Sequence, residues 1–200
     1  MVLYLTIIII ANIIVILSNI LFGTAIFGYS VDFVLFASIV TTLFQFAIDG
    51  IFALLVHWLP KKWFTKDKKC FYVSKKLQKF YDKLKIRKWK DKVWELGGLG
   101  GFRKNKIYDP NNPEYIDEFI MESNKGIVVH RLSYFAGYLA IFLFPLKYAL
   151  VIGVPIATIN LILNILPTMI LQYNIPKLLV VHKRLTRNLE LKNNEEKTTD

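Results

Sequence analysis

Few side chains in this sequence combine a titratable group with an apolar setting, and any chemistry must start from them. His130 and Arg131 stand near the start of an otherwise apolar stretch, Gly126–Phe144. Ionisable groups inside a hydrophobic segment are costly to keep there, so they are functional candidates by default. At helical spacing His130 shares a face with Ser133, Tyr134, Gly137 and Tyr138, a polar strip whose small central residue would let a chain or ring pass. Glu122 precedes His130 in the chain. On an unbroken helix the two would be separated by about 12 Å of rise. Contact therefore requires a bend, and Ser123-Asn124-Lys125-Gly126 is where one is expected. A His beside a carboxylate in a partly dry site suits a general base acting on a hydroxyl. The competing reading is a snorkelling pair at a membrane interface, with Arg131 on lipid phosphate and His130 hydrogen-bonded to a neighbour. Asp49 is the other charge within an apolar run. For it, substrate contact and pairing with Asn12, Asn160 or Asn164 are both open.

A second group of residues is cationic. Arg87-Lys88-Trp89-Lys90 is followed by Gly97-Gly98-Leu99-Gly100-Gly101 and then by Phe102-Arg103-Lys104. Glycines between cationic clusters can bring several backbone N–H groups and positive charges to one phosphate. The pattern is neither a dinucleotide fingerprint nor a Walker loop, so a phosphate cradle and a charged linker stand level on spacing alone. Cys70 is the single cysteine, which excludes an intramolecular disulfide and a cysteine-based metal site. His57 and His182 have no partners at ligand spacing, and no metal is expected.

The elements that position these residues are hydrophobic spans. Hydrophobic residues make up 54% of the chain, and they are gathered into long runs rather than periodic stripes. Val2–Phe22 carries no charge, Phe33–Leu59 is interrupted by Asp49 and His57, and Tyr148–Leu166 is again uncharged. About 20 apolar residues cross a bilayer core. With Gly126–Phe144 the count is four spans. The first run lacks the basic n-region and the short apolar stretch of a cleaved signal peptide, and reads as a retained span.

Charge is as segregated as hydropathy. Residues 61–125 hold 18 Lys and Arg against 9 Asp and Glu, whereas the Gly28–Asp32 loop has no basic residue. The positive-inside rule then places the basic segment and both termini in the cytoplasm. The expected fold is all-α: a polytopic membrane protein of four transmembrane helices in two hairpins, with a basic amphipathic cytoplasmic insert. Its parts would be a first hairpin over 1–60, the insert over 61–125, a second hairpin over 126–173 and a cytoplasmic amphipathic tail over 174–200. Within the insert, Val73, Leu77, Phe80, Tyr81 and Leu84 fall on one helical face with lysines around it. That helix suits either the membrane interface or packing within the insert. Asn112-Pro113-Glu114 reads as an N-cap followed by a helix start. Trp58 and Trp63 suit an interfacial aromatic belt. Basic charge tethered between spans points to anionic headgroups or a phosphorylated co-substrate rather than to nucleic acid.

Arg87-Lys88-Trp89-Lys90, then Gly100-Gly101-Phe102-Arg103-Lys104, then Glu122 with His130, and finally Tyr173-Asn174-Ile175-Pro176-Lys177-Leu178, form an ordered set. Together they resemble the glycosyl-4,4'-diaponeurosporenoate acyltransferases, small bacterial membrane enzymes that acylate the sugar of a carotenoid glycoside. The resemblance implies acyl transfer from an activated donor, acyl-CoA or acyl-carrier protein, to a hydroxyl of a lipid-like acceptor at the cytoplasmic face of the bacterial plasma membrane. His130 would be the base and Glu122 its orienter. Arg87, Lys88, Lys90, Gly100, Gly101, Arg103 and Lys104 would hold the donor's phosphates. Trp89, Arg131, Tyr134, Tyr138 and Asn174 would contact substrate, and no bound cofactor is expected. The rival from another class is a non-enzymatic membrane protein, a transporter subunit or assembly factor. Internal repeats and broken helices would favour that rival, and no convincing repeat relates the two hairpins.

Overall fold

The computed structural model describes residues 2–93 and 107–199. All its regular elements are helical, and no strand occurs among the described residues. Four helical stretches are long and apolar enough to cross a membrane: Leu5–Phe27, Val31–Trp58, Pro113–Leu143 and Leu146–Glu195. In chain order the α-helices are α1 (Val2–Ser18), α2 (Thr24–Phe27), α3 (Val31–Trp58), α4 (Lys75–Lys83), α5 (Ile86–Trp89), α6 (Pro113–Ala136), α7 (Leu146–Tyr148) and α8 (Val154–Thr199), of which α4 and α5 lie outside the four spans. Ile14, Leu21, Phe22, Leu43 and Leu54 all stand exposed on the first two spans. Such surfaces are unfavourable in water and suit hydrocarbon, where the helix satisfies its own backbone. The protein is an integral membrane protein of α-helical type.

Contacts divide the chain into two compact units. The first comprises 2–58 and 128–168, with Val93. Val15, Tyr29, Val34, Ala37, Ile152 and Ile156 form its core. The Phe33 and Tyr148 rings lie 4.2 Å apart, and those of Tyr29 and Tyr148 4.7 Å apart. Two π-helical turns, Asn19–Gly23 and Ala149–Gly153, interrupt the spans of this unit. Asn19 links them by donating from Nδ2 to the carbonyls of Val15 at 2.8 Å and Val151 at 3.0 Å. A side chain at Gly23 would collide with the Tyr29 ring, whose nearest carbon lies 2.4 Å from where a Cβ would stand.

The second unit comprises 59–92, 107–127 and 169–199. Ile116, Phe119, Ile120 and Leu178 form one core cluster; Ile127, Leu171 and Ile175 form another. The amphipathic segment is helix α4, with Ser74 as N-cap accepting from the Leu77 N–H at 3.2 Å. Its apolar face divides. Val73 and Tyr81 are buried, and the Tyr81 hydroxyl donates to Gln172 Oε1 at 2.5 Å, whereas Phe80 and Leu84 are exposed. Asn112 caps α6 as its sequence suggests, accepting from Glu114 N at 3.0 Å and Tyr115 N at 3.3 Å.

The bend expected at 123–126 is absent, because α6 runs unbroken from Pro113 to Ala136. The residues that suggested a turn have other work. Ser123 Oγ donates back to the Phe119 carbonyl, Asn124 Nδ2 donates to the Phe64 carbonyl at 2.8 Å, and Gly126 admits the Leu171 side chain, 3.0 Å from the position of an added Cβ. Likewise α8 continues through Asn174 and Pro176 without a break.

Candidate active site

His130 is half-buried on α6, and its Nδ1 lies 2.8 Å from Asn164 Oδ1 on α8. Asn164 Nδ2 lies 3.3 Å from Asp49 Oδ2 on α3. The carboxylate fixes the amide's orientation, since only the NH2 group can face an acceptor. The amide oxygen therefore faces the imidazole, Nδ1 carries the hydrogen, and Nε2 remains as the basic nitrogen. This is the arrangement of a positioned general base, with an amide between imidazole and carboxylate.

The relay belongs to a larger polar cluster within the first unit. Asn164 Nδ2 also lies 3.0 Å from the Asn160 carbonyl and 3.2 Å from Asn160 Oδ1. Asn160 Nδ2 donates to Gln45 Oε1 at 3.0 Å, and Gln45 Nε2 donates to the Gly137 carbonyl at 2.8 Å. A Cβ at Gly137 would lie 2.3 Å from Gln45 Oε1, so a larger residue there would make this glutamine shift. Asn12, Thr42, Gln45 and Asn160 also line a small cleft with Ile8, Phe46 and Ile159. Its volume of about 20 Å³ is room for one water-sized group. A single hydroxyl fits there; a sugar ring does not. Asp49 Oδ1 and Ser133 Oγ are buried and have no hydrogen-bond partner among the described residues. Buried polar atoms are nearly always paired, so each of these is an exception within the first unit.

The family profile of glycosyl-4,4'-diaponeurosporenoate acyltransferase matches residues 60–184, more than half of the chain. The chain belongs to that family. It is an acyltransferase, and the family's substrates are carotenoid glycosides. No curated protein and no solved structure matches the chain at a significant level.

In this acyltransferase the residues singled out from sequence are dispersed. Tyr138 hydrogen-bonds Thr158 Oγ1 at 3.0 Å in the first unit, which also contains half-buried Tyr134 and exposed Arg131. Glu122 belongs to the second unit, where its carboxylate meets Lys125 Nζ at 2.8 Å. Its expected pairing with His130 is therefore corrected. The continuous helix has no break at 123–126 of the kind the pairing required, and a buried lysine takes the carboxylate. Arg87 and Lys88 are exposed on α5, Lys90 pairs with Asp91 at 3.1 Å, and Trp89 Nε1 donates to the Leu84 carbonyl at 3.0 Å. Asn174 is half-buried on α8, one residue beyond Tyr173, over whose ring Lys177 Nζ sits at 3.4 Å. Gly100, Gly101, Arg103 and Lys104 lie outside the described residues.

The sequence left Asn164 open as a partner of Asp49, and the two do meet; it did not show the contact of Asn164 with His130 or the links to Gln45 and Asn160. The signal was present. Gln45 and Asp49 are four residues apart on one apolar helix, and Asn160 and Asn164 four apart on another. Spacing of that kind puts two polar groups on one face of each span, and such faces seek each other in hydrocarbon.

Proposed function

We propose that this acyltransferase moves a fatty acyl group from a thioester donor, acyl-CoA or acyl-carrier protein, onto a sugar hydroxyl of a carotenoid glycoside at the cytoplasmic membrane interface. The observation that carries the reading is the His130–Asn164–Asp49 relay inside an apolar unit. His130 Nε2 takes the proton as the acceptor's hydroxyl oxygen attacks the thioester carbonyl carbon. The C–S bond then breaks, the ester is complete, and the imidazolium returns its proton to the departing sulfur. Asn164 holds the ring in the tautomer with Nε2 unprotonated, and Asp49 polarises the amide and offsets the charge that develops on the imidazole.

Support for the sidedness comes from charge. The basic excess of 61–125 favours the cytoplasmic leaflet, whose anionic lipids attract it, and leaves the termini on the same side. Arg87, Lys88, Lys90, Arg103 and Lys104 are the residues proposed for the donor's phosphates, with the planar guanidinium of Arg103 suited to bidentate contact. Tyr134, Tyr138, Arg131, Trp89 and Asn174 remain proposed substrate contacts.

Comparison of lipid extracts from cells with and without the protein tests the reaction directly. A carotenoid glycoside gaining the mass of one acyl chain only when the protein is present is the expected result. In the same cells His130→Ala should lower turnover on the order of 10²–10⁴-fold, the scale of lost general-base catalysis. Full activity of a well-inserted His130→Ala protein would overturn the mechanism.

A further inference from the structure

A second cavity, in the unit built from 59–92, 107–127 and 169–199, is chemically unlike the cleft beside Asn160. Its room is about 160 Å³, enough for a phosphate and a short length of chain but not for a whole lipid or nucleotide. Lys66, Lys68 and Lys69 stand at one part of its wall, and Ile120, Ile175 and Leu179 at another. Lys66 is neutralised by Asp117 at 2.7 Å, and Asp67 also lines the cavity. Lys68 and Lys69 have no ion-pair partner among the described residues. Counting both acids, the wall keeps one positive charge, which matches a phosphodiester or a singly ionised phosphate.

Asn124 adds the third feature. It is fully buried and lines the cavity; its Nδ2 is committed to the Phe64 carbonyl, but its Oδ1 has no partner among the described residues. An amide oxygen left dry and unpaired calls for a hydrogen-bond donor from whatever fills the space. Cationic mouth, apolar wall and buried acceptor together describe an amphiphile of a definite kind.

We infer that this cavity binds a phosphate-bearing amphiphile, its phosphate at Lys68 and Lys69, an N–H or O–H of its neutral part on Asn124 Oδ1, and its hydrocarbon along Ile120, Ile175 and Leu179. Two molecules share that chemistry. The phosphopantetheine arm of an acyl thioester offers amide N–H groups a few atoms from its phosphate, and a phosphatidylglycerol headgroup offers hydroxyls. Naming the thioester arm rests on the acyl-transfer reading; the cavity's preference for a phosphate amphiphile does not.

The test is binding to the full-length protein in detergent, with three probes: coenzyme A, short-chain phosphatidylglycerol and short-chain phosphatidylcholine. Lys68→Glu/Lys69→Glu should weaken coenzyme A or phosphatidylglycerol at least tenfold, and whichever probe responds identifies the source. Leu179→Trp, which leaves the charges alone and fills the apolar side, should weaken the same probe comparably. The exposed control Lys75→Glu/Lys76→Glu on α4 should not. His130→Ala should bind like the wild type, so a failed catalytic mechanism and a failed cavity assignment give different results. Binding of both anionic probes that is unchanged in the Lys68/Lys69 and Leu179 variants, absent altogether, or weakened equally by the α4 control, would overturn the inference.

Discussion

Asn164 is the residue on which the candidate site turns, because an amide can face an imidazole with its oxygen and a carboxylate with its nitrogen. Replacing it by Ala removes both contacts and leaves Nε2 in place. Turnover of Asn164→Ala should therefore fall, but by less than the roughly 10²–10⁴-fold expected for His130→Ala, while donor KM stays near the wild-type value. Steady-state kinetics on reconstituted protein separates the two. Glu122 belongs to a different experiment. Its partner Lys125 is buried, and removing one member of such a pair leaves an uncompensated charge at a cost of about 3–5 kcal/mol. Glu122→Gln should lower the unfolding midpoint in detergent, with turnover per folded molecule largely kept. A normal midpoint with lost turnover would restore a catalytic role for this carboxylate.

At the scale of the helices, close approach is what assembles the polar cluster. Gly137 follows α6 directly, and its lack of a side chain lets Gln45 reach the main chain there and meet Asn160. Gly137→Ala would force the glutamine away and orphan buried groups, a loss of about 1–3 kcal/mol. Gly50 is the contrasting case, because nothing lies within 4 Å of an added Cβ. Gly50→Ala should leave stability equal or raise it, since alanine is the better helix former by about 1 kcal/mol. Denaturant titration of the two variants in the same micelle gives opposite signs if the packing is as described. The unbroken α6 belongs to the same scale: Ser123, Asn124 and Gly126 read as turn formers in isolation, yet each has a packing or hydrogen-bonding task that suits a continuous helix.

At the scale of the whole molecule, segregated charge predicts an orientation in the membrane. Basic residues crowd 61–125 and are absent from Gly28–Asp32, so the insert and the C-terminal tail should share the cytoplasmic side. The native thiol, exposed Cys70, is first changed to Ser. Single cysteines at Gly28 and Pro145 should then react with an impermeant reagent added to intact cells, and cysteines at Asp109 and Asn193 only after lysis. Labelling of Asp109 in intact cells would reverse the topology while leaving the relay untouched.

Hydropathy, charge segregation and motif order lie in the linear chain. They were enough for four spans, for the acyltransferase family and for His130 as a residue out of place in an apolar setting. Those properties are local or additive, and folding does not alter them. Partnership is not local. Whether His130 meets Glu122 or Asn164 depends on whether a helix bends at Gly126 and on which faces of α3, α6 and α8 come together. The deciding quantities are the fit of Leu171 against Gly126, of Gln45 against Gly137, and the need to pair Asp49 away from water. Only the tertiary structure sums those contacts, because each joins residues far apart in sequence and none is preferred until the others have formed.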